Sequence, residues 1–64
     1  MSKNNRLRAA RVYLGLTQLQ LAQQCGLKEM TVSRLETGRA QANPELKAVL
    51  ANILRKPAAE LFES

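Results

Sequence analysis

A single glycine, Gly26, separates two short segments that each have the pattern of a helix. Thr17 and Gln20 have the T-x-x-Q spacing of a capping box, which predicts that a helix begins at residue 18. Gly26 can adopt the positive φ that ends a helix without a Cβ clash. A second helix is predicted over residues 28–37. Residues 18–37 therefore predict two helices joined by a tight turn.

The second of these helices has an apolar face and a polar face. Helices of nine or ten residues are marginal in isolation, because most of their stability comes from packing. Val32 and Leu35 are the apolar positions expected to pack back on the first helix. The residues that remain on the outer face are Glu29, Met30, Ser33 and Arg34. This is the pattern of a helix-turn-helix, whose second helix lies in the DNA major groove.

Length and composition favour one small all-helical domain. The chain has 64 residues, 45% of them hydrophobic, and its aromatic residues are Tyr13 and Phe62. β-branched residues are few, which favours helices over strands. The net charge of +5 suits a polyanionic partner, although many small domains are equally basic. We expect a flexible N-terminus over residues 1–4 and a single domain over residues 5–62.

Several classes of protein are not expected from this composition. One Cys and no His exclude a zinc finger and leave no metal site or cofactor to predict. No nucleophile stands beside a base and there is no phosphate-binding loop, so an enzyme is not expected. The charged N-terminus lacks the apolar run of a signal peptide or a membrane span. A cytoplasmic protein with Cys25 as a small core residue is predicted.

Three further helices are predicted around the central pair. The first covers about residues 5–14, with Leu7, Ala10 and Leu14 forming its buried stripe. The fourth starts at Asn43-Pro44-Glu45, which suits an N-cap, a first and a second helical residue. Its apolar face is expected to cover the core with Leu46, Val49, Leu50, Ile53 and Leu54.

The last helix is a single turn that Pro57 opens as its first helical residue. Leu61 and Phe62 look like the most exposed apolar pair of the chain, and they are expected either to fold back on the core or to meet another subunit.

The order and spacing of the motifs resemble a known family. Residues 11–26 read R-xxx-GLTQ-xx-LA-xxx-G and residues 31–38 read TVS-xx-E-x-G. Together these motifs resemble the phage-repressor and Cro-type helix-turn-helix family, also called XRE-type, over roughly residues 6–62. The resemblance implies a lambda-repressor-like domain of five short helices that binds specific DNA sequences. Family members usually act as symmetric dimers on palindromic operators.

The resemblance also implies roles for individual side chains. Glu29, Met30, Ser33 and Arg34 match the positions that face bases. An arginine can bind guanine O6 and N7 as a fork, a methionine can meet a thymine methyl, and a glutamate can accept from cytosine N4. The alternatives are a solvated or phosphate-bound Arg34, and a Glu29 that only stabilises its helix start.

Phosphate contacts and one structural ion pair complete the set of implied roles. The expected phosphate-contacting residues are Gln18, Lys28, Arg39, Gln41 and Asn43. For Arg39 and Gln41 the alternative, that they are solvent-exposed loop residues without a contact to DNA, is equally favoured. Arg11 is expected to pair with Glu36 rather than with DNA, so that it ties the first helix to the third.

The sequence thus predicts a DNA-binding transcriptional regulator, a repressor that binds a palindromic operator as a homodimer with residues 28–37 in the major groove. A second hypothesis is an antitoxin-like or accessory module in which the same fold contacts a protein partner. A third, a basic amphipathic membrane-surface peptide, is disfavoured by the internal glycine turns and helix caps.

Overall fold

Five helices account for the secondary structure of residues 5–62, the part of the chain that the computed structural model describes, and no strand occurs within it. The all-α prediction is therefore confirmed. The predicted flexible segment, residues 1–4, lies outside the described residues. The helices are α1 (Asn5–Tyr13), α2 (Gln18–Cys25), α3 (Glu29–Thr37), α4 (Pro44–Leu54) and α5 (Ala58–Leu61).

The start and end of α2 follow from local chemistry. The Gln20 amide donates to Thr17 Oγ1 over 3.0 Å, and the Thr17 amide donates to Gln20 Oε1 over 2.8 Å, so the predicted capping box is confirmed. Gly26 ends the helix with φ at 72°, where a side chain would be strained. The Leu27 amide then donates to the Ala22 carbonyl over 2.8 Å, which closes the helix end.

The third helix begins one residue later than predicted. Lys28 is its N-cap with extended backbone and makes no side-chain capping bond, because a lysine has no acceptor to offer the first-turn amides. The helix ends at Thr37, and Gly38 has φ at 78°. The predicted helix over residues 28–37 is therefore correct except for its first residue.

The two central helices share one hydrophobic core with the other three. α3 packs chiefly on α2, α1 lies against α3 and α5, and α4 lies against α2 and α5. The largest fully buried side chains are Leu7, Leu21, Val32, Leu35, Leu50, Leu54 and Leu61. Because Val32 and Leu35 fill the inner side of α3, the opposite side of that helix faces outward.

Two predicted core positions are wrong. Leu14 is 37% exposed because α1 ends at Tyr13, so the chain has left the helix before the third member of the expected stripe. Val49 is 42% exposed. Successive helical residues differ by about 100° around the axis, so Val49 lies at the edge of the face centred on Leu50 and Leu54.

The C-terminal turn also differs from the prediction. Pro57 is the N-cap of α5 and not its first helical residue. Leu61 is 2% exposed and belongs to the core, so of the two alternatives predicted for it, folding back on the core is the correct one. Phe62 is half-buried, and the Lys47 ammonium lies 5.6 Å from the centre of its ring. Leu61 is therefore unavailable to another subunit.

Candidate nucleic-acid interface

The outer side of α3 carries most of the predicted base-reading side chains in accessible positions. Glu29, Met30 and Arg34 are exposed, and Met30 leaves 61% of its surface in solvent. Ser33 is half-buried, which places it nearer to the neighbouring helices than predicted. Met30 and Arg34 are four residues apart, which places them on one helix face, and Glu29 adjoins Met30 in the first turn. α3 therefore presents an acid, a thioether and a guanidinium side by side.

The last turn of α3 is braced by its own side chains. The Thr37 hydroxyl donates to the carbonyls of Ser33 and Arg34, over 3.1 Å and 3.3 Å. The carbonyls of this last turn also accept from the backbone amides of the three residues that follow the helix, Gly38, Arg39 and Ala40. This satisfies carbonyls that a helix end otherwise leaves without partners. The backbone that carries Arg34 is therefore fixed.

Gln18 links the start of α2 to the end of α3. Its Nε2 donates to Glu36 Oε1 over 3.0 Å, and the residue is half-buried. An amide nitrogen has two hydrogens, so this bond leaves a second donor on the same atom. The first turn of α2 contains no acidic residue, and although Thr17 takes the Gln20 amide, helix geometry leaves the amides of Gln18 and Leu19 without intrahelical partners. This helix start can therefore accept an anion.

The start of α4 is less suited to an anion. Asn43 Oδ1 accepts from the Leu46 amide over 2.8 Å, and Pro44 has no N–H to donate. Glu45 adds a carboxylate in the first turn. Arg39 and Gln41 are exposed in the preceding connection and can supply the donors that this helix start lacks. Lys28 is also exposed, at the start of α3.

Arg11 and Glu36 form a buried ion pair between α1 and α3. Arg11 Nε donates to Glu36 Oε2 over 2.6 Å, and Arg11 Nη2 donates to Glu36 Oε1 over 3.3 Å. Arg11 is 8% exposed and Glu36 is 3% exposed. The structure therefore places both side chains inside the protein, where neither can meet a bound nucleic acid directly.

A comparison with protein families agrees with this geometry. A family model described as a helix-turn-helix domain matches residues 5–62, which is most of the chain. The chain belongs to this helix-turn-helix family. The predicted resemblance is thereby confirmed, and membership indicates DNA binding with a function in transcription regulation. No match was found among curated proteins or among solved structures.

One contact in the helix-turn-helix domain had no signal in the sequence. Arg11 Nη1 donates to the backbone carbonyl of Leu16 over 2.7 Å. Every residue has a carbonyl, so the sequence cannot indicate which one an arginine will reach. This bond joins α1 to the segment that leads into α2, and so the same guanidinium holds three parts of the domain together.

The remaining ionisable groups of the helix-turn-helix domain include one with a displaced pKa. Burial raises the pKa of the Cys25 thiol, because a partly apolar environment disfavours the thiolate. Within residues 5–62, no group of three or more His, Cys, Asp or Glu side chains is placed to hold a metal ion. No helix in that range is both long and apolar enough to cross a bilayer.

Proposed function

We propose that this protein is a sequence-specific transcriptional regulator, a repressor that places α3 in the major groove of double-stranded DNA. The observation that supports this most directly is the division of α3 into two faces. Val32 and Leu35 are buried, whereas Met30 and Arg34 are exposed on the other side. A short helix held from one side by a core, with polar and apolar side chains on its free side, has the form of a recognition helix.

The proposed base contacts follow from the chemistry of the exposed face. Arg34 would bind guanine O6 and N7 as a fork, Met30 would contact a thymine methyl, and Glu29 would accept from cytosine N4. Ser33 is half-buried and has a short side chain, so its hydroxyl would bond to a base edge that lies close to the α3 backbone. Each good pairing discriminates against the wrong base by about 1–3 kcal/mol.

Phosphate contacts would orient the domain on the duplex without reading sequence. We place the first contact at the start of α2, where Gln18 Nε2 keeps a second hydrogen after its bond to Glu36. Exposed Lys28 and Arg39 would add charge-assisted contacts beside it, with Gln41 and Asn43 as neutral donors. The net charge of +5 would favour association with any duplex before the specific site is found.

We further propose that the protein acts as a homodimer on a palindromic operator inside the cell. Two copies would then read half-sites about one helical turn apart. Leu61 is buried, so the larger apolar side chains of α4 and the C-terminal turn that remain accessible for such a contact are exposed Val49 and half-buried Leu46, Ile53 and Phe62. Sedimentation at tens of micromolar with and without DNA tests this point. A monomer under both conditions would contradict the homodimer.

Selection of bound sequences from a random duplex pool tests the function itself. The expected result is an enriched sequence with two-fold symmetry. Arg34→Ala should weaken binding to that sequence by about tenfold or more and relax the preference at one position of each half-site. Arg8→Ala is the matched control, because it removes the same charge from an exposed position on α1. An equal effect of both substitutions would show that charge alone accounts for binding.

The alternative of a protein-interaction module is supported by a different surface. A groove of about 600 Å³ lies between α1 and α5, with Ala10 and Leu61 among the residues that line it. Tyr13 lines this groove and is 86% exposed.

The salt dependence of binding distinguishes the two functions, because log Kobs for duplex DNA falls by about 0.9 per phosphate contact for each tenfold increase in salt concentration. A weak, flat and sequence-independent response to salt would favour a protein partner.

A further inference from the structure

The sulfur-containing side chains of residues 5–62 are Cys25 and Met30, and their surroundings differ. Cys25 is half-buried against the core, and burial raises the pKa of its thiol. A thiol reacts with peroxides as the thiolate, so this cysteine is held in its less reactive form. Met30 is 61% exposed, and a thioether has no proton to lose before it reacts. Of the two side chains, Met30 is therefore the more accessible to an oxidant in solution.

We propose that Met30 is an oxidation site through which hydroperoxides weaken DNA binding by this domain, an inference that rests on the proposed function of α3. In the reaction a sulfur lone pair attacks one peroxide oxygen and the O–O bond breaks. The sulfur gains that oxygen and loses two electrons, which makes methionine sulfoxide. The other oxygen takes up the hydroxyl proton and leaves as water when the oxidant is hydrogen peroxide.

The product changes the chemistry of the recognition face and leaves the fold intact. A sulfoxide is polar and accepts hydrogen bonds, so it loses the favourable contact of a thioether with a thymine methyl. The thymine methyl has no hydrogen-bond donor to offer, so at that contact the sulfoxide oxygen gives up hydrogen bonds to water without a replacement. Because the inner side of α3 is held by Val32 and Leu35, a change on the outer side leaves the core untouched. Sulfoxide reductases reverse the modification, which makes it suited to regulation.

The experiment compares wild type, Met30→Leu and Cys25→Ala on the duplex that the untreated wild-type protein selects from a random pool. Each protein is treated with hydrogen peroxide, and peptide mass spectrometry locates the added oxygen. Affinity is then measured by titration, and helix content by circular dichroism. Met30→Leu is the matched control, because leucine keeps an apolar side chain of similar volume. It also retains Met1, so any effect of oxidation there appears as residual sensitivity.

The expected result is one oxygen on the peptide that contains Met30 and an affinity lower by about tenfold in wild type and Cys25→Ala. Met30→Leu should bind the duplex equally well before and after treatment, whatever its affinity relative to wild type, and helix content should not change. Oxidised Met30 with unchanged affinity, an equal loss in Met30→Leu, or loss of helix would overturn the inference alone. Failure of the untreated protein to select any sequence would overturn the proposed function as well.

Discussion

The guanidinium of Arg11 on α1 meets the carboxylate of Glu36 on α3 at 2.6 Å, with both side chains almost fully buried. The same carboxylate accepts from Gln18 at the start of α2. The three helices that form and support the proposed DNA-binding surface are thus joined at a single charged group. Within residues 5–62, no buried side-chain nitrogen or oxygen atom is left without a hydrogen-bond partner.

Arg11→Ala should destabilise the fold, whereas Arg34→Ala should not. Removing Arg11 leaves the carboxylate of Glu36 buried with fewer donors, which costs on the order of 3 kcal/mol. For a domain of this size that corresponds to a melting temperature lower by on the order of 10–20 °C. Arg34 is exposed, and surface substitutions are usually within about 0.5 kcal/mol of neutral. Both variants lose one positive charge, so thermal melts compare them directly, and the reverse order would contradict these roles.

Two substitutions of Asn43 should distinguish its role as a helix cap from its proposed role in phosphate binding. Asn43→Ala removes the acceptor of the Leu46 amide and should lower the free energy of unfolding by about 1 kcal/mol. Asn43→Asp keeps an acceptor at that position and should leave stability unchanged. If a phosphate lies beside Asn43, the new negative charge in Asn43→Asp should weaken DNA binding. Chemical denaturation and DNA titration of both variants check this, and unchanged affinity in Asn43→Asp would remove Asn43 from the proposed contacts.

Arg55→Gly should stabilise the protein. Arg55 has φ at 59° and is the non-glycine residue with positive φ in residues 5–62. The left-handed conformation costs a residue with a Cβ about 1–2 kcal/mol, and the greater flexibility of glycine in the unfolded chain offsets part of the gain. A net increase of about 0.5 kcal/mol in the free energy of unfolding is expected. Arg55→Ala removes the same charge but keeps the Cβ, so a comparable gain there would show that the effect is electrostatic.

Cys25 should be slow to alkylate in the folded protein. Burial raises the pKa of its thiol, so at any pH near neutrality the thiolate fraction is smaller than in the unfolded chain. The rate of iodoacetamide modification near pH 7 should therefore be lower than in the unfolded chain, and its rise with pH should come at a higher pH than it does there. Denaturant provides the control, because unfolding restores the ordinary pKa. A rate in the native protein equal to that in denaturant would contradict this environment.

Much of the local structure could be predicted from short-range chemistry. The capping box at Thr17 and Gln20 and the stop at Gly26 depend on residues within one helical turn of each other, so their spacing is visible in the sequence. The buried positions Val32 and Leu35 followed from helical periodicity. The predictions failed where a helix end or a neighbouring helix decided exposure, as at Leu14 and Val49.

Caps, glycines and helical periodicity act over a few residues, so the order of the amino acids was enough to place the ends of α2 and α3 to within one residue and to identify the buried side of α3. The pair of Arg11 and Glu36 was expected only from the family resemblance, and the packing of the helices added the bond from Gln18 to the same carboxylate and placed Leu61 in the core. The pairs Arg11–Glu36 and Gln18–Glu36 are separated by 25 and 18 residues along the chain. Packing of whole helices brings such residues together, and no local pattern records that packing.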